Sequence, residues 1–327
     1  MVVESRASAW ILLAVALIGF FAPILANDRP ILARVDGRLA APALADLPLV
    51  GRLFGGPPHR VIAWDAAAPS TPGNEARVLL MPPVPYSYRG IHLDESLRPP
   101  SARHPMGTDA LGRDLLARVL HGAQISLAVG FGATALALLV GVCLGALAGL
   151  RGGWIDLAIV RLVDIVACFP PFVLALTFVA ALGRTGLWPM VAGIALSRWT
   201  SMARYVRGEV LRQRGGEIWV SARAAGAGGF RLVVRHLLPL MAAPLAVLAA
   251  FGVANAIVLE SGLSFLGFGA DPPAPSWGSI LAEARTSLDA AWWPVVFPSA
   301  ALMIVLASLC AVAERGAGRG SPADPLL

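Results

Sequence analysis

Runs of about twenty apolar residues alternate along this chain with shorter polar stretches. Six runs stand out, at 8–26, 123–150, 155–182, 187–206, 237–260 and 291–313. A helix needs about 20 residues to cross roughly 30 Å of hydrocarbon, so each run predicts a membrane-spanning helix. The first ends on Ile24-Leu25-Ala26, which resembles a signal-peptide cleavage site, but its charged leader is thin, with Glu4 against Arg6. A retained anchor over 1–26 is the expectation. Proline punctuates the later runs: Phe169-Pro170-Pro171 in the third, Pro239 and Pro244 in the fifth, Pro294 and Pro298 in the sixth. Each proline removes a backbone donor and bends its helix. In the second run, Gly141, Gly145 and Gly149 fall on one helical face and permit a close helix contact.

Segment 27–105 breaks the pattern. It holds 13 of the 26 prolines, including Pro57-Pro58, Pro82-Pro83 and Pro99-Pro100. Such density excludes long helices and central strands. A small irregular cap is predicted, with short strands near Arg60–Trp64 and Ala76–Leu80. The resulting organisation is an anchor (1–26), an external cap and pre-helix stretch (27–122), a five-helix core (123–313) and a tail (314–327).

Composition sharpens this reading. Hydrophobic residues make up 57% and charged residues 14%, against roughly 25% charged in an average soluble domain. All 26 basic residues are arginine. Without lysine there is no Schiff-base chemistry and no Gly-Lys-Ser/Thr phosphate loop. Any ATP used here must be hydrolysed by another chain. The loop 207–236 holds Arg207, Arg212, Arg214, Arg223, Arg231 and Arg235 against Glu209 and Glu217, with Arg198 and Arg204 just before it. Between the fifth and sixth runs Arg285 stands against Asp271, Glu283 and Asp289. The arginine-rich loop is therefore expected on the cytoplasmic side. Six spans would then put both termini there and segment 27–122 outside.

Candidate chemistry is sparse. Cys143, Cys168 and Cys310 sit apart in apolar runs and read as packing residues. His104, Asp109 and Asp114 offer too few oxygens for a calcium or magnesium site. A polar turn fits them better, with Thr108 or Asp109 capping a short helix and Asp114 and Arg118 spaced i,i+4. Arg161 and Asp164 read as a local i,i+3 pair. Glu260 ends the fifth run, facing a path or reaching water. His59, His92 and His121 are isolated. No nucleophile, catalytic base or metal motif is apparent, so an enzyme is not expected.

The loop 207–236 carries the most information. Glu217–Ala225 is short, apolar and helix-forming, and Gly226 suits a left-handed helix end. Gly228-Gly229 offers a second hinge, and a second helical piece runs from Phe230 to Leu238. Ile218, Trp219 and Val220 are expected on an exposed helix, which needs either a partner groove or the lipid headgroups.

Ser221-Ala222-x-x-x-Gly226, with Leu238-Pro239 following, resembles the EAA loop of ATP-binding-cassette importer permeases. Gly226, Leu238 and Pro239 match in register, and Ala222 matches the second alanine. Ser221 replaces the first alanine, Val220 the family glutamate and His236 the family isoleucine. A second stretch, His104-Pro105-Met106-Gly107-Thr108-Asp109-Ala110-Leu111-Gly112-Arg113-Asp114, is similar to the signature before the second span in dipeptide, oligopeptide and nickel permeases. Arg151–Asp156, Arg161–Ile165 and Leu263–Gly269 match as well. The stretch Ala26–Gly37 and the long insertion resemble the oligopeptide and microcin C branch.

The resemblance implies an all-α, six-helix transmembrane bundle of the type I importer kind. It implies a second permease subunit, two ATPase subunits that use the ATP, and an external solute-binding protein. It places contact with the ATPase at Glu217, Trp219, Val220, Ser221, Ala222, Arg223, Gly226, Leu238 and Pro239. Peptides are the expected solute, with dipeptide, nickel or glutathione import as alternatives. Two other classes compete: an ion-coupled secondary transporter, which calls for paired mid-membrane acids and inverted repeats, and a membrane anchor without a path.

Overall fold

The computed structural model describes residues 2–35, 38–46 and 76–319. The strand predicted near Arg60–Trp64 and His59 lie outside the described residues, as does the tail beyond 319. In chain order the main elements are α1 (Val2–Phe20), α2 (Ala22–Leu25), β1 (Leu32–Val35), β2 (Arg38–Ala40), β3 (Ala76–Leu80) and α3 (Leu115–Arg151). Then come α4 (Gly153–Ala167), α5 (Pro171–Leu182), α6 (Leu187–Gln213), α7 (Glu217–Ala224) and α8 (Gly229–Leu232). A π-helical turn (Val233–Leu237), α9 (Leu238–Phe265), α10 (Trp277–Ala284) and α11 (Trp293–Arg319) complete the chain. Two compact units result. The first comprises Met1–Leu12, Ala128–Leu263 and Ile304–Leu327, the second Leu13–Leu127 and Ser264–Met303.

Helices stand at all six predicted places, yet they differ in character. Three stretches are long and apolar enough to cross a membrane: α3, Val233–Phe265 and Trp293–Glu314. The third predicted span is two helices, α4 and α5, bent by 89°. The cause is local, since Pro171 opens α5 and cannot donate backward into the preceding turn. The apolar part of α1, Ala9–Phe20, is short. Among the described residues, α6 does not meet the same test, because Arg198 and Arg204 dilute its apolar stretch. Pro244 and Pro298 lie inside continuous helices rather than ending them.

In the first unit, α3 and α6 run in the same direction and touch through glycine. A β-carbon on Gly141 would overlap that of Met202. One on Gly145 would lie 2.5 Å from the Ala203 carbonyl oxygen, and one on Gly149 2.7 Å from the Val210 β-carbon. The predicted glycine face is thus a helix contact, with no room for a side chain at any of the three positions. Helix α9 packs against α3 in the opposite sense, with Gly130 against Ile257 and Gly252 against Thr134. Ala137, Val163, Ala195, Trp199 and Ala203 join α3, α4 and α6 in one apolar cluster. Cys143 on α3 and Cys168 at the end of α4 are exposed, not packed as expected, and Cys310 is half-buried. Arg161 and Asp164 are both exposed and, among the described residues, form no ion pair with each other. Asp156 pairs instead with Arg207, whose Nε lies 2.5 Å from Oδ1, tying α4 to α6.

The fold is mostly helical, as expected, and the second unit adds a small sheet in the external segment. A three-stranded antiparallel sheet of order β2-β1-β3 forms in the proline-rich segment. β3 matches the strand predicted at Ala76–Leu80. β1 was not foreseen, because four residues give too short a pattern to distinguish from loop. Ala26, at the end of the cleavage-like tripeptide, is buried and bridges to Val84. The Asn27 amide donates to the Val84 carbonyl at 3.1 Å, and the Val84 amide to that of Leu25 at 3.0 Å.

Candidate functional site

Helix α7 is stabilised from one side and open on the other. Glu217, Val220, Ser221 and Ala224 recur at i, i+3, i+4 and i+7, and all four are exposed. Ala222 is buried and Trp219 half-buried. Both belong to a cluster with Ala146 of α3, Val206 and Val210 of α6, Leu232, Val233, Leu237, and Met241 and Leu245 of α9. The expectation that Trp219 would be exposed is therefore corrected. Its ring rests on this cluster, and the Arg214 guanidinium lies 5.9 Å from its centroid. A further Arg214 nitrogen donates to the Leu150 carbonyl at the end of α3. Val220 is 56% exposed, so an apolar side chain points outward where the resembling family has glutamate. The side chain of Ile218 lies outside the described set.

The end of α7 explains its glycine. The Gly226 amide donates to the Arg223 carbonyl at 3.0 Å and the Ala227 amide to the Ala222 carbonyl at 2.9 Å. These are the two bonds of a Schellman motif, with Ala222 and Ala227 making its apolar contact. Gly226 itself has φ +78, the left-handed region that side chains resist. A β-carbon there would meet nothing within 4 Å. Arg223, Ala224, Ala225 and Gly226 are all exposed. Downstream, Gly228 lies in the short break between α7 and α8, and Gly229 opens α8, with the Leu232 amide donating to the Gly228 carbonyl. Pro239 does not break the helix either. The π-helical turn before it makes wider bonds, Leu238 to Val233, and so absorbs the donor that Pro239 lacks. Leu238 is half-buried against the cluster and Pro239 exposed.

The second predicted group lies in the second unit and is a clamp. Asp114 caps α3, its carboxylate accepting from the Ala117 amide at 2.7 Å. Its other oxygen lies 2.8 Å from His104 Nδ1, and the His104 ring stacks on Tyr86. Burial pushes the Asp114 carboxyl above its ordinary value, and bonds from Ala117 and His104 pull it part of the way back. Asp109 caps a turn and not a helix, accepting from the amides of Leu111 and Arg113. Thr108 accepts from the Arg98 amide at 2.8 Å, and its carbonyl takes the Trp293 indole proton at 2.9 Å. Gly107 and Gly112 both have positive φ, and a β-carbon on Gly112 would overlap the His92 carbonyl.

The expected i,i+4 pair of Asp114 with Arg118 is replaced. Arg118, 1% exposed, contacts Asp109 Oδ2 at 2.5 Å and spans both oxygens of Glu283 at 2.6 and 3.0 Å. Arg113 bonds Asp109 at 2.7 Å and also reaches Glu283. Removing the buried Asp109 costs about 3–5 kcal/mol, because it strands the buried Arg118 charge, whereas Glu283 is half open to solvent. Glu283 stands 165 residues from Arg118, so no local pattern announces it. Among the described residues, no cluster of three or more His, Cys, Asp or Glu side chains could hold a metal.

Residues 141–318 match the family model described as the binding-protein-dependent transport system inner membrane component. The chain is 40% identical over 220 residues to the dipeptide transport system permease protein DppC of Alkalihalophilus pseudofirmus, covering 67% of this chain and 72% of that protein. It is 36% identical to the oligopeptide permease OppC of Mycobacterium bovis, covering 69% of this chain and 78% of that one. It is 36% identical to the glutathione permease GsiD of Pectobacterium atrosepticum, covering 70% and 74%. In fold it is similar to a chain of the methionine ABC transporter MetNI solved in inward-facing conformations. That match has a TM-score of 0.52 and 19% identity, and covers 64% of this chain and 98% of that chain.

Proposed function

Because the chain belongs to the family of inner membrane components of binding-protein-dependent transport systems, we propose that it is a permease subunit importing peptides or peptide-like solutes. Its partners in this reading are a second, similar permease, two ATPase subunits that consume the ATP, and an external solute-binding protein. Both termini and α7 face the cytoplasm, and residues 27–122 face outward. The observation that carries the reading is the open face of α7. Glu217, Val220, Ser221 and Ala224 are held out on a short helix whose other side is buttressed by three longer ones. Such a face fits a groove on an ATPase.

ATP drives import only if its binding favours one state of the assembly over another. Closure of the ATPases pulls α7, and α7 transmits this through Trp219 and Ala222 to α3, α6 and α9. The peptide assignment draws on the names of the relatives, which span dipeptide, oligopeptide and glutathione carriers. The test is uptake of labelled solutes by cells lacking this chain. Loss of labelled dipeptide and tripeptide uptake, restored by the intact chain, is the expected result. Loss confined to a free metal ion, or no loss of any solute, would refute it.

A further inference from the structure

Helix α6 is buried along most of its length, and its open positions follow a rule. After Trp188 at its start, its fully exposed residues are Ser201, Arg204, Gly208 and Arg212. The spacing of three, four and four is one stripe of a helix. Arg198, half-buried, heads the stripe one turn before Ser201. The contrast with α3 is direct, because the large exposed side chains there are Phe131, Leu136, Leu139 and Leu147. An apolar stripe suits lipid; a stripe of arginine, serine and glycine does not.

Arg198 is the unusual member. It lies eleven residues into α6, about 16 Å along the axis, which is near the middle of a bilayer core of roughly 30 Å. Its Nε is sealed from solvent without a hydrogen-bond partner, and among the described residues the side chain makes no ion pair. Arg204, two turns on, makes none either. A guanidinium keeps its charge under all ordinary conditions, and the half-exposed Arg198 is open to an anion that reaches it.

We infer that the part of this stripe before the cytoplasmic loop, Arg198 to Arg204, lines the solute path and that Arg198 takes the α-carboxylate of the transported peptide. This rests on the importer reading above. The carboxylate is the anionic group that peptides of every sequence share, and a path admitting many sequences must recognise what they have in common. A row of two unpaired arginines about 9 Å apart offers an anionic group successive positions, whereas a fixed carboxylate of a neighbouring subunit would satisfy one only. Partly hydrated ion pairs are worth about 1 kcal/mol or less, weak enough for release.

The test uses the complete importer in proteoliposomes, with permease pair, ATPases and binding protein. Uptake of alanyl-alanine is compared with that of its C-terminal amide. Arg198→Gln should slow the free acid by up to about fivefold relative to the amide, and Arg198→Lys should restore most of the loss. The binding protein is the same throughout, so a changed ratio reports on the path. With thermal unfolding of the variant unchanged, equal slowing of both peptides, or of neither, overturns the assignment, the first result indicating a carboxylate of the neighbouring permease. If the unaltered importer takes up neither peptide, the peptide reading itself fails, which is a separate outcome.

Discussion

Gly226→Asp reduces solute uptake about a hundredfold while the protein remains folded and inserted. The magnitude is that of an interface hot spot, roughly 2–3 kcal/mol. The reasoning is geometric. A β-carbon at this position meets nothing within 4 Å, so nothing inside the chain is displaced. The left-handed backbone costs a side chain about 1–2 kcal/mol, and aspartate tolerates it better than most. The new carboxylate therefore projects from the open end of α7, into the space assigned to the ATPase. Uptake by the reconstituted importer and thermal unfolding of the isolated permease separate the two effects. A large fall in unfolding temperature would instead make Gly226 a residue of the fold.

Gly145→Leu abolishes the folded protein. The β-carbon alone would sit 2.5 Å from the Ala203 carbonyl and 3.0 Å from the Val206 β-carbon. Backbone cannot swing aside as a flexible side chain can, so α3 and α6 must separate. Overpacking ordinarily costs about 1–3 kcal/mol, and four added carbons at a backbone contact exceed that. The parallel contact also carries Gly141 and Gly149, and the loss spreads along it. Gly208→Ala in α6 is the control, since a β-carbon there meets nothing within 4 Å. It should hold or raise the unfolding temperature, by the helix preference of alanine over glycine of about 1 kcal/mol. Unfolding in detergent, followed by tryptophan fluorescence, checks both variants.

How far the chain could be read in advance depended on the range of the interaction. The glycine row, the break at Pro170-Pro171 and the turn at Gly226 are local features, and each appears where its residues predict it. The strand at Ala76–Leu80 is legible for the same reason. Trp219 is different. The sequence shows a short helix at a bend with no core to cover it, but Val206, Val210 and Arg214 come from α6 and its end to receive Trp219. The pre-helix motif was recognisable as a pattern, whereas its role as a clamp depends on Glu283 and Trp293, more than 160 residues away. The polar stripe of α6 was hidden for a converse reason. Arg198 and Arg204 precede an arginine-rich loop and read as part of its charge, whereas the helix places Arg198 eleven residues past its start.

The central claim is that the open face of α7 seats on an ATPase subunit. Its most direct test is site-specific photo-crosslinking in the assembled importer, with a photoreactive amino acid at Val220 and, separately, at Ala222. Val220 is 56% exposed and Ala222 8%. The account predicts an ATPase adduct from position 220, strengthened or weakened by ATP, and none from position 222. No ATPase adduct from position 220, or adducts to lipid alone, would contradict it.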